Sequence, residues 1–180
     1  MSEAKTSAAA TSRYKTPLQQ VLGCISKTAQ WIIAPGPGDD MRRLTIANGP
    51  LSFTASKGLT GSLWLDASQK FRVRHDGTEF RISTEGYIYT ISESSTLDTE
   101  LVSWHWHPPA RSRPHLHHTN RAYGHLPTGR VSFEAIVRYI LEDLEAKPTR
   151  KDWQDILLAN EALHIKYRSW SADPEIESTF

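Results

Sequence analysis

An α+β fold is predicted for this 180-residue chain: an antiparallel β-sheet of about six or seven strands packed against one N-terminal and two C-terminal helices. Three observations predict it. Apolar residues recur at helical spacing near the N-terminus and in two stretches near the C-terminus. Between them, over 41–118, apolar and polar residues alternate with a period of two. Turn formers punctuate that middle region at Asn48-Gly49-Pro50, Asp76-Gly77 and Glu85-Gly86. Helices segregated from a β meander make a layered α+β domain. The length suits one globular domain over 14–172, with a polar tail over 1–13 expected to be disordered.

The first helix is expected over 16–32. Thr16 can cap it, Pro17 suits its first position and Gln19 its third. Leu18, Val21, Leu22 and Ile25 supply an apolar stripe, and Ala34-Pro35-Gly36-Pro37-Gly38 should end it. Strands are expected near 42–47, 51–55, 62–67, 70–75, 79–84, 87–92 and 100–107, with the stretch PHLHH (114–118) as a further strand if it pairs. Ser132 can cap a helix over 132–147 with a stripe of Phe133, Ile136, Val137, Ile140, Leu141 and Leu144. Pro148 breaks it. Thr149 can cap a last helix over 149–170, with Trp153, Ile156, Leu157, Leu163 and Tyr167 inward.

Composition limits the function. The net charge is only +1, so the field of the whole molecule implies no polyanion partner, and any nucleic-acid contact needs a local basic patch. Cys24 is the only cysteine, which excludes an intramolecular disulfide and a cysteine-rich zinc site. The N-terminal residues lack the apolar core of a signal peptide, and no run approaches the roughly 20 apolar residues of a bilayer span. A cytoplasmic protein without membrane contact is expected. There is no Gly-rich phosphate loop and no GxSxG, so nucleotide hydrolysis and α/β-hydrolase chemistry lack support.

The informative segment is WHWHPPARSRPHLHH, residues 104–118. It holds His105, His107, His115, His117 and His118, and His125 follows. From Leu101 to Phe133 there is no Asp or Glu, while Arg111, Arg113, Arg121 and Arg130 fall inside. Alternation on strands puts His105 with His107 on one face, and His115 with His117. Arg72, Arg74 and Arg81 have the matching parity opposite Phe71, Val73 and Ile82, so one polar, cationic sheet face is expected.

Three readings of that face compete. In the first, histidines act as acid and base in metal-free RNA cleavage, with no cofactor. His105, His107, His115 and His117 would exchange protons near neutral pH. Arg111, Arg113, Arg72, Arg74, Arg81 and His118 would bind phosphate. In the second, the two His-x-His pairs hold a transition metal such as zinc through four imidazoles. The missing carboxylate and the intervening arginines count against this. In the third, the face is solvated and the chain is a binding or regulatory module.

The segments YIYTISE (87–93) and WHWHPPARSRPHLHH, with the helix after HLPTGRVSFEAIV, resemble the TumE-type family of small prokaryotic toxins over about residues 70–145. His115, His117 and His118 fall on the shared PH-x-H segment. The resemblance implies a toxin acting on RNA, with a cognate antitoxin as partner. The long N-terminal region, the His105–His107 pair and the second C-terminal helix depart from that pattern.

Overall fold

Helix formation starts earlier than the Thr16–Pro17 signal suggests. In the computed structural model, which describes residues 4–36, 40–56, 61–108, 111–118 and 125–170, α1 spans Ser7–Leu22, and Thr6 is its cap, accepting from the Ala9 N–H. Ala8, Ala9 and Ala10 favour helix, and Ala10, Tyr14, Leu18, Val21 and Leu22 make a buried stripe at helical spacing. Pro17 lies inside the helix and is buried. That packing offsets the roughly 3 kcal/mol that an interior proline costs. The expected disorder over 1–13 is therefore corrected for residues 4–13. Ala4 is fully buried and its N–H donates to Glu79.

Gly23 ends α1, and the expected continuation of the helix to residue 32 does not form. Trp31 instead opens β1 (Trp31–Pro35). Its backbone N–H donates to the Gln19 side chain, and its indole N–H to the Leu18 carbonyl at 3.0 Å. Next come β2 (Met41–Ile46), β3 (Leu51–Thr54), β4 (Ser62–His75), β5 (Phe80–Ser92), β6 (Glu100–His107), β7 (Arg111–His118) and β8 (Leu126–Pro127). They pair antiparallel in the order β1-β2-β4-β5-β6-β7-β8, with β3 alongside β4. The expected breaks near residues 68–69 and at Glu85-Gly86 are absent, so β4 and β5 are each one long strand.

Glu85-Gly86 marks a bulge, not a turn. Lys70 pairs with Gly86 and Phe71 with Thr84, leaving Glu85 as the extra residue of β5. A side chain at Gly86 would meet the Trp106 carbonyl at 2.6 Å, so glycine is what lets β6 approach here. Asp76-Gly77 is the turn expected, with Gly77 at φ 98°.

One sheet face carries the core. Phe71, Ile82, Tyr87, Tyr89, Ile91 and Trp106 are buried on it. Tyr14 of α1 packs on Phe71, with ring centroids 4.8 Å apart. α2 (Phe133–Glu142) lays its expected stripe there too, capped by Ser132 as predicted, and Phe133 packs on Trp31 and Tyr89. α2 ends before residue 147 because Glu145 takes a left-handed φ of 52° and the chain turns back. Thr149 does not cap the last helix; its N–H and hydroxyl donate to the Cys24 and Gly23 carbonyls, and α3 (Trp153–Tyr167) starts later. The helix expected to 170 gives way to β9 (Arg168–Trp170), which pairs parallel with Ile82–Thr84 of β5. No helix among the described residues is long and apolar enough to cross a membrane.

Candidate functional site

The second sheet face carries the histidines. β6 alternates Trp104 and Trp106 toward the helices with His105 and His107 away from them. In register, His105 lies opposite His115 and Ser103 opposite His117. This row continues across the sheet, since His105 pairs with Ile88 and Ile88 with Ser68. β8 closes the far edge, with Pro127 opposite His115 and Leu126 opposite Leu116. Continuing that register sets His125 beside His117.

Five imidazoles consequently touch. The His105 ring stacks on His117 with centroids 4.2 Å apart, and lies 5.6 Å from His115 and 5.9 Å from His107. His107 meets His115 edge-on at 4.9 Å, although β7 is irregular between the residues facing His105 and His107. His125 meets His115 at 4.7 Å and His117 at 4.3 Å. The expected clustering of His105, His107, His115 and His117 on one face is what the structure has.

Burial and the imidazoles beside it decide the charge of His105. Burial, then the neighbouring His117, His115, His107 and His125, push the His105 pKa down from 6.5 to about 4. At neutral pH this ring is an uncharged lone-pair donor. His115 is only 3% exposed, and its Nδ1 lies 3.1 Å from the Arg113 carbonyl oxygen. A carbonyl can only accept, so Nδ1 carries the hydrogen and Nε2 the lone pair. This is the backing that orients metal-bound imidazoles. Nε2 of His105 lies 2.6 Å from the Ser103 hydroxyl, which lies 2.7 Å from that of Thr90.

The donor atoms form two overlapping triads, His105–His107–His115 and His115–His117–His125, each with ligand atoms within 4.8 Å of one another. Three nitrogens at that limiting separation sit about 2.8 Å from their common centre, and zinc–imidazole bonds run about 2.0–2.1 Å, so each ring closes by about 0.7 Å at most. A small tilt of an imidazole supplies that. Neither triad includes a carboxylate. An all-imidazole set suits zinc, copper, nickel or iron.

The arginines behave differently. Arg74 pairs across the strands with Arg81, on the same face as the histidines but at the hairpin end. Arg81 lies about 20 Å along β5 from Ile88, the partner of His105, at about 3.3 Å per residue. Arg72 and Arg74 are within ion-pair distance of Glu85, and Arg81 of Asp76 and Glu79. The side chains of Arg111 and His118 lie outside the described residues. Arg113 enters through its backbone carbonyl. Sequence reasoning left His125 and Ser103 out of the site. The signal for Ser103 was its parity with His105; for His125 it was only another imidazole soon after the cluster. Comparison with family models, with curated proteins and with solved structures finds no match for this chain.

Proposed function

We propose that this chain is a transition-metal protein, with zinc as the reference ion, whose site is built from His105, His107 and His115 and adjoined by His117 and His125. The observation that carries the reading is the pair of imidazole triads sharing the buried His115. His105 is a poor proton acceptor that stays neutral at pH 7, and a dication gathers imidazole lone pairs without needing a nearby anion. Bound there, zinc would keep its full charge, because every ligand is neutral. It would then act as a Lewis acid toward water or an anionic group.

Metal-free cleavage of RNA by a toxin with a cognate antitoxin is the competing reading, and the TumE-type resemblance speaks for it. It calls for one charged and one neutral imidazole with unengaged guanidiniums beside them. A His105 held neutral, with Arg72, Arg74 and Arg81 engaged by carboxylates at the far end of the face, supports it less.

Calorimetric titration of chelator-stripped protein with zinc tests the proposal. Stoichiometric binding with Kd at or below about 1 μM, worth about 8 kcal/mol, is expected. His115→Ala, which belongs to both triads, should weaken it at least 100-fold, whereas His75→Ala outside the cluster should not. Absence of saturable binding, together with RNA cleavage in the presence of chelator, would replace this reading by the ribonuclease.

A further inference from the structure

The hydroxyl pair beneath the cluster points to a positioning role. Thr90 and Ser103 face each other across β5 and β6, and His117 faces Ser103 across β6 and β7. Thr90 and Ser103 are both buried, 6% and 0% exposed. The Ser103 oxygen lies 2.7 Å from the Thr90 oxygen and 2.6 Å from His105 Nε2.

A serine hydroxyl has one hydrogen to give. With two partners, two arrangements use that hydrogen within the chain. In one, Thr90 donates to Ser103, Ser103 donates to His105 Nε2, and the imidazole hydrogen sits on Nδ1. Neither nitrogen of His105 can then take an ion. In the other, His105 Nε2–H donates to Ser103 and Ser103 donates to Thr90, which frees the lone pair on Nδ1. His115 has the opposite arrangement: its Nδ1–H is held by the Arg113 carbonyl, so its lone pair is on Nε2.

We infer that Ser103, backed by Thr90, is a positioning residue that makes His105 a ligand through Nδ1, while His115 binds through Nε2, giving a mixed-nitrogen centre. The inference rests on the metal-centre reading above. Ion binding at Nδ1 selects the second direction of the hydroxyl chain. Ligand-orienting hydrogen bonds of this kind typically change metal affinity by about 10–100-fold.

Long-range ¹⁵N–¹H NMR of ¹⁵N-histidine-labelled, zinc-loaded protein reads the tautomers directly. The expected result is metal on Nδ1 of His105 with a proton on Nε2, and the reverse at His115. Zinc titrations of Ser103→Ala and Thr90→Val should show a loss of about 10–100-fold for the first and a smaller loss for the second. Metal on Nε2 of His105, or unchanged affinity in Ser103→Ala, overturns the inference and leaves the metal centre standing. If wild-type protein takes no zinc, both fall. Should Ser103→Ala not fold, the wild-type tautomer assignment decides alone.

Discussion

Acidification of the metal-free protein should destabilise it through His105, with a size that follows from the cluster. His105 is the half-buried member that stacks on His117 and borders His115 and His107. Its pKa falls from 6.5 in the unfolded chain to about 4 in the folded one. Between those values the unfolded chain holds a proton here that the folded chain does not. Stability is therefore intact above about pH 6.5 and declines as the pH falls toward 4. At about 1.36 kcal/mol per pKa unit the full displacement corresponds to about 3 kcal/mol, and solvent screening of a half-exposed ring reduces this to about 1–2 kcal/mol. Urea denaturation at pH 7, 6, 5 and 4.5 with chelator present would measure it. His105→Asn carries no titrating group, so its stability should fall less steeply over the same window. Equal slopes for wild type and His105→Asn would refute the reasoning, as would a wild type that gains stability in acid.

Two substitutions away from the imidazoles test how the sheet is held. Gly86→Ala places a methyl 2.6 Å from the Trp106 carbonyl, so β6 must back away. A loss of about 1–3 kcal/mol is expected in urea unfolding. Tyr14→Phe removes the hydroxyl that donates to Gln69, whose amide donates to Tyr89 at 2.7 Å within the core. The stranded Gln69 oxygen should cost about 1–3 kcal/mol at neutral pH, again by urea unfolding.

Local pattern sufficed for much of this protein. The period of two named most of the sheet, and the stripe from Phe133 to Leu141 named α2, because one buried face imposes its repeat on the residues that fill it. Parity alone put His105 with His107 and His115 with His117, since a strand has only two faces. Other features needed the folded chain. Ile82 and Tyr87 are an odd number of residues apart, so simple alternation sets them on opposite faces. The bulge at Glu85 returns both to the core, next to the point where β6 comes close at Gly86. α1 keeps Pro17 in its interior because the surrounding stripe is buried against the sheet and α2, a compensation that local propensity does not register. Trp31 leaves helical spacing for β1 because its indole meets the Leu18 carbonyl. His125 completes the cluster only because β8 returns beside β7, and a chain's return path is set by long-range pairing rather than by the residues it joins. The histidines were thus legible as a group, while their contacts and the neutral state of His105 depend on which strands lie next to each other.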